Sequence, residues 1–270
     1  VISQILDHLG SGRAFSAIRL GDSEGTVMDD PLADESEVAH SQRIWCGDQQ
    51  VGQADVDRIS HGLRSACEQA DILGLPSAFQ FGAHERYRRV FSALSKWQWP
   101  RPEQMLVDAN LHWYLQLSGA MAPILRNRPV VGLVGCRDLA IPIQETFGVD
   151  EVRSWFVRGE TQYPGEVTEP HWPDGFNRVM DTLSVAYPGQ LFLVGAGILG
   201  KIYCQRIKSL GGVALDLGSV LDAWAGVVSR LRFGPHQRLF ALEAARMPAA
   251  TNYREALSDA CRIANIQGLY

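Results

Sequence analysis

The sequence lacks the marks of several protein classes. Its five cysteines, Cys46, Cys67, Cys136, Cys204 and Cys261, are odd in number, widely spaced and free of any C-x-x-C pair. That disfavours a disulfide framework and a zinc knuckle. It reads instead as small buried side chains of a reducing, cytoplasmic compartment. No Arg/Lys-rich block or basic arm occurs and the formal net charge is -5, which argues against a nucleic-acid partner. No apolar run reaches the roughly 18 residues of a transmembrane segment. No internal repeat or low-complexity tract occurs. The first residue is Val1 rather than Met, which suggests trimming, and no secretory signal is visible.

What is present fits an ordinary globular chain. Its 270 residues are 46% hydrophobic and 20% charged, enough for one large α/β domain with a sizeable core. β-Branched apolar runs mark strands near Phe15–Leu20, Asp71–Pro76, Gln104–Asp108, Pro129–Gly135, Val152–Val157, Gln190–Gly195 and Gly212–Leu217. Helical periodicity marks Ala54–Ala70, Glu85–Lys96, Leu111–Leu125, Leu139–Phe147, Trp172–Tyr187, Ile198–Leu210, Val220–Leu231 and, in a C-terminal helical extension beginning near residue 233, Tyr253–Ala264. The alternation predicts a mostly parallel sheet flanked by helices on both faces. No shift in composition marks a boundary, so residues 1–270 read as a single domain. Two stretches read as loops over a site: Asp29–Gln53, and Gly159–Asp174 with its three prolines.

Two motifs carry chemistry. The first is Gly21-Asp22-Ser23-Glu24-Gly25, just past the first strand. Ligands of open α/β sheets sit at that edge. On an extended backbone Asp22 and Glu24 point the same way and can share one Mn²⁺ or Mg²⁺, cations that prefer hard oxygen ligands. The plainer reading is a polar turn in which Asp22 caps a short helix. The second motif, Gly195-x-Gly197-x-x-Gly200, follows a strand and opens a helix, with Asp216 about 20 residues on where a ribose-binding acid belongs. Its glycines and helix N-terminus suit any diphosphate, whether of a sugar nucleotide or of NAD or FAD. Glycines needed only for packing give the same pattern.

Other candidates each have a structural counterpart. Arg19 can bind phosphate or pair with Asp22. Asp108, Asn110 and His112 follow the third strand, where Asp108 or His112 can serve as general base, or Asp108 and Asn110 can cap a helix over a packed His112. Gly135 and Arg137 form another strand-to-helix turn, which Asp138 can cap. Glu169, His171 and Trp172 lie in the Pro-rich loop and suit an acceptor or acid-base role. Arg86, Arg88 and Arg89 read as a solvated helix face, and Trp97 and Trp99 as the cover of a helix end.

The stretch "FSAIRLGDSEG" resembles the N-terminal signature of the GT-D-type bacterial glycosyltransferases, an Arg-[Phe/Leu]-Gly-Asp-x-Glu segment carrying the D-x-E motif. The stretch "LFLVGAGILGKIYCQRIKSLGGVALDLGSVLDAW" is similar to the C-terminal half of that family, with Asp216 and Gly218 at its Asp-x-Gly ending. The resemblance spans roughly Phe15 to Gly226. It implies a Rossmann-like single domain and a hexosyltransferase using a nucleoside-diphosphate sugar, a UDP-sugar first among donors, with a glycan or glycoprotein acceptor and Mn²⁺ or Mg²⁺. It implies Asp22 and Glu24 at the metal and catalytic centre, and Gly195, Gly197, Gly200, Asp216 and Gly218 as donor contacts; residue chemistry adds Arg19, Gly21 and Gly135 to the donor-binding set. Family members often carry a His soon after the Asp-x-Gly; this chain reads Ser219-Val220 there. The rival readings are an NAD(P)- or flavin-dependent oxidoreductase built on Gly195–Gly200, and a non-catalytic nucleotide- or glycan-binding module.

Overall fold

The computed structural model describes residues 1–28, 51–83, 85–99, 101–230 and 237–246. One seven-stranded sheet forms its centre: β1 (Phe15–Arg19), β2 (Ile72–Leu75), β3 (Met105–Asp108), β4 (Val130–Gly135), β5 (Glu151–Phe156), β6 (Leu191–Gly195) and β7 (Val213–Asp216). The strand order is β3-β2-β1-β7-β6-β4-β5 and every pairing is parallel. From β1 the chain steps outward through β2 and β3, crosses to the other half, and returns inward through β6 to β7. The first and last strands therefore pair, Ala17 against Leu215. The order reverses at that pairing, which is where ligands of open α/β sheets bind.

Strand alternation sorts the side chains into two cores. Phe15, Ala17, Leu191, Leu193, Val213 and Leu215 enter one, with helices Ile2–Ser11, Leu111–Leu117, Met121–Leu125 and Ala140–Phe147. Ile18, Leu20, Phe192, Val194 and Ala214 enter the other, with helices Gln53–Gln69, Glu85–Lys96, Phe176–Thr182 and Gly200–Ser209. The same parity directs Arg19 toward the first face and Asp216 toward the second, which determines their partners in the site.

Several helices differ from the expected spans. Leu111–Leu125 is two helices, broken where Gly119 takes φ 71. Trp172–Tyr187 shortens to Phe176–Thr182, because Trp172 is extended (φ -117, ψ 138) within a wide turn over His171–Gly175. Val220–Leu231 ends at Trp224, and Gly226 has φ 75. Arg89 is buried, 4% exposed, so that helix face is not wholly solvated. Trp97 is buried and Trp99 packs on the same core, as a covered helix end requires. Helices Ile2–Ser11, Asp22–Gly25 and Ala78–Ala83 lie outside the expected spans, although Ile2, Ile5, Leu6 and Leu9 of the first recur at helical spacing. Beyond Trp224, the segments Gln237–Phe240 and Leu242–Arg246 pack on the domain, with Gln116 Nε2 donating to the Leu239 and Ala241 carbonyls. Most of the Asp29–Gln53 stretch and the whole Tyr253–Ala264 span lie outside the described residues.

Candidate functional site

A cavity of about 560 Å³ opens at the carboxyl edge of the sheet, centred on the β1–β7 pairing. Arg19, Gly21, Asp22, Glu24, Asn110, His112, Gly195, Gly197, Asp216 and Gly218 all line it, so both sequence motifs converge on one site.

The acidic motif is helical rather than extended. Gly21 has extended φ/ψ and Asp22–Gly25 then forms a single helical turn. Gly25 is needed there: a Cβ would lie 2.6 Å from the Arg86 carbonyl oxygen of the neighbouring helix. Successive helical residues rotate by about 100°, so Asp22 and Glu24 diverge instead of pointing the same way. Glu24 turns inward. Its Oε2 accepts the Gly21 N–H at 2.7 Å and its Oε1 lies 2.5 Å from Lys201 Nζ. Asp22 stays at the cavity wall, with Oδ1 accepting the Ser23 N–H at 2.9 Å. Among the described residues it enters no ion pair.

Lys201 lies in the first turn of helix Gly200–Ser209 and is 4% exposed. Its Nζ also reaches Asp216 Oδ2 at 3.3 Å and donates to the Gly197 carbonyl at 3.0 Å. Asp216 is held from the other face by Arg19, whose Nη2 is 3.2 Å from Oδ1 and whose Nε donates to the Asp216 carbonyl at 2.9 Å. Arg19 thus pairs with Asp216, not Asp22. Arg19 Nη1 continues to the Ala109 carbonyl at 3.1 Å and to His112 Nε2 at 3.3 Å. Glu24, Lys201, Asp216 and Arg19 form one buried chain of alternating charge. Both oxygens of Asp216 are engaged in it.

Each pKa shift has a visible cause. Burial alone favours the neutral acid at Asp216, but Arg19 and Lys201 outweigh it and hold the carboxyl below its ordinary range. Burial likewise opposes the Lys201 ammonium, and Asp216 and Glu24 raise it above the ordinary value. Burial lowers His112 well below the usual imidazole range, and Arg19, Lys201 and Arg230 push further in the same direction. A guanidinium only donates, so His112 Nε2 accepts from Arg19 and the imidazole is neutral. Its basic nitrogen faces a cation rather than an acceptor hydroxyl. Asp108 Oδ1 accepts the Asn110 N–H at 2.7 Å, the turn-forming role.

The Pro-rich loop divides at about its middle. Gly159, Glu160, Gln162 and Tyr163 line the cavity. Arg137 holds this part in place: its Nη1 donates to the Pro164 carbonyl at 2.6 Å, its Nη2 to the Tyr163 carbonyl at 3.0 Å, and its Nε to Asp222 Oδ1 at 2.7 Å. Asp138 accepts the Ala140 N–H at 3.1 Å, as a helix cap would. Arg230 Nη2 pairs with Glu160 Oε1 at 2.6 Å on the same wall. Cys136, also on the wall, is pushed up to about 11 by burial and by Asp222.

The second half of the loop does not line the cavity. His171 and Trp172 are buried against helix Gly200–Ser209: His171 Nε2 is 3.0 Å from the Tyr203 hydroxyl, and Trp172 packs on Phe176. Burial and Arg178 lower His171 to about 3. Glu169 pairs with Arg178 at 2.8 Å. Gly135 and Gly200 also lie off the cavity, Gly200 where a Cβ would meet Val194 and Ala196. Sequence reasoning passed over Lys201, Arg158, Glu160, Asp222 and Arg230. Lys201 alone carried a signal, as a lysine flanked by Ile198, Ile202 and Tyr203 on the buried side of its helix.

Comparison with known proteins supplies the rest. A new glycosyltransferase (DUF1792) from Streptococcus sanguinis shares the fold with a TM-score of 0.51 at 13% identity, over 86% of this chain and 86% of that one. A selenomethionine-substituted domain of unknown function 1792 shares it with a TM-score of 0.50 at 13% identity, over 83% of this chain and 80% of that one. No curated protein matches. The GT-D fold-like domain family matches residues 1–224 of the 270, and the chain belongs to that family.

Proposed function

We propose that the chain is a glycosyltransferase that moves a sugar from a nucleoside-diphosphate sugar to an acceptor hydroxyl of a glycan or glycoprotein. The family and the glycosyltransferase named among its structural neighbours support the class. The observation that carries the reading is Asp22, a carboxylate that enters no ion pair among the described residues, on the wall of a cavity that Arg158 and Arg230 also line. A guanidinium suits diphosphate oxygens.

In the reaction, the donor's bond between anomeric carbon and phosphate oxygen breaks and its electron pair leaves with the nucleoside diphosphate. The acceptor oxygen bonds to the anomeric carbon and its proton passes to a base. In this reading Asp22 takes that proton or holds a cation beside the diphosphate. Glu24 serves instead to hold the turn that presents Asp22.

Among the described residues no group of three or more His, Cys, Asp or Glu forms a metal cage. The donor set does fit an ion that shares its shell with the substrate: Asp22 offers a hard oxygen, and Mg²⁺ commonly takes one or two carboxylates with phosphate oxygens and water. What bound Mn²⁺ or Mg²⁺ supplies is neutralisation of the leaving diphosphate. A UDP-sugar is the first donor to test.

The experiment is a thermal shift of the protein against UDP, GDP, CMP, TDP and NAD, each with and without Mn²⁺. A ligand bound only by the folded state raises its stability by mass action. A shift with one nucleoside diphosphate that is lost in Asp22→Asn is the expected result. A shift with NAD alone points to the oxidoreductase reading, to which the engaged oxygens of Asp216 give no support.

A further inference from the structure

We infer that Lys201 is the built-in cation of the acidic motif, occupying the position between Glu24 and Asp216 that a divalent ion shared by these carboxylates would need. This deepens the proposed donor site, and it separates the two carboxylates of the D-x-E motif. Glu24 is a positioning residue that Lys201 has already claimed. Asp22 alone is left for a cation or a proton.

The geometry supports this from three sides. All three ammonium hydrogens of Lys201 have an acceptor within reach: Glu24 Oε1 at 2.5 Å, the Gly197 carbonyl at 3.0 Å and Asp216 Oδ2 at 3.3 Å. Glu24's other oxygen accepts the Gly21 N–H at 2.7 Å, so the carboxylate is held at both ends. The charges already balance, with Lys201 and Arg19 against Glu24 and Asp216. An ion bound to Glu24 Oε1 at the usual distance would stand within about 5 Å of the ammonium, which repels it. The arrangement also explains how the glycine turn and the acidic turn are joined. The helix that opens at Gly200 sends its second residue back across the sheet edge to the turn after β1.

The test is Mn²⁺ binding to the whole chain without nucleotide, read by the loss of the free-ion electron paramagnetic resonance signal. Wild type is expected to show no Glu24-dependent site. Lys201→Ala opens a pocket between two carboxylates, so Mn²⁺ should bind at least tenfold more tightly than in wild type, and Lys201→Ala/Glu24→Gln should lose that gain. Lys201→Gln, closer in size, gives the same comparison if the alanine variant fails to fold by circular dichroism. If neither folds, wild type against Glu24→Gln decides. Mn²⁺ binding by wild type that disappears in Glu24→Gln overturns the inference. So does a folded Lys201 variant with no gain. Because nucleotide is absent, these results stand apart from donor binding: failure of every nucleoside diphosphate to shift the melting temperature would count against the transferase reading and leave Lys201 where it is.

Discussion

Lys201 Nζ lies 2.5 Å from Glu24 Oε1, so a helix late in the chain clamps the acidic turn that follows the first strand. Both side chains are buried. The contact holds Glu24, while Asp22 on the same cavity wall enters no ion pair among the described residues. Removing one partner of a buried pair typically costs about 3 to 5 kcal/mol, and Lys201 keeps Asp216, which points to the low end of that range. Glu24→Gln should therefore lower the unfolding free energy by about 3 kcal/mol in urea titrations. A loss of a few tenths of a kcal/mol would mean that the clamp contributes little.

Gly218 governs the other end of the same chain of charges. Its φ is 49, and a Cβ there would collide with Arg19 Nη2, which reaches past it to Asp216. Gly218→Ala should cost about 1 to 2 kcal/mol from the left-handed backbone alone, and more if Arg19 must move. Calorimetry should show a lowered melting temperature, with Gly10→Ala, where nothing lies within 4 Å of the new Cβ, as the mild control.

Acid should destabilise the fold in two stages. His171 is neutral when folded because burial lowers it to about 3. The unfolded chain takes up its proton below about 6.5, so this stability is complete above that pH and is lost as pH falls toward 3. Asp216, also depressed, adds a loss below the ordinary carboxylate range. His171→Gln should reduce the slope of unfolding free energy against pH between 4 and 6 by up to about 1.4 kcal/mol per pH unit. An unchanged slope would place the acid sensitivity elsewhere.

Arg137 should act on the loop rather than on the core. Three of its nitrogens tie the Tyr163 and Pro164 carbonyls to Asp222. Arg137→Met should speed hydrogen exchange across residues 159–165 while leaving β6 and β7 protected. Exchange that rises equally in the strands would show a global effect instead.

The sequence exposed the sheet well and the site in part. Strands such as Leu191–Gly195 carry apolar residues at every position because both faces are covered, and that pattern is visible without structure. Helices Leu111–Leu117 and Met121–Leu125 merged in the reading, since a glycine at positive φ interrupts the backbone but not the periodicity. In the site, Asp22 and the glycine turn stood out by type and spacing. Lys201 as the partner of Glu24, and Arg19 as the partner of Asp216, did not, because each pair is separated by nearly two hundred residues of chain and meets through the β1–β7 pairing. His171 and Trp172 misled for the opposite reason. Their setting among prolines suggested a ligand loop, whereas Tyr203 and Phe176 draw them into the core.

The central claim is that Asp22, and not Glu24, meets the reacting centre. It is tested most directly by the release of nucleoside diphosphate from sugar nucleotides by wild type and by Asp22→Asn, with urea titration of the same samples. The account predicts that Asp22→Asn keeps its stability within about 0.5 kcal/mol, as expected for a residue outside the buried pairs, and loses about 100-fold or more in turnover. Turnover within twofold of wild type in a folded Asp22→Asn protein would contradict it.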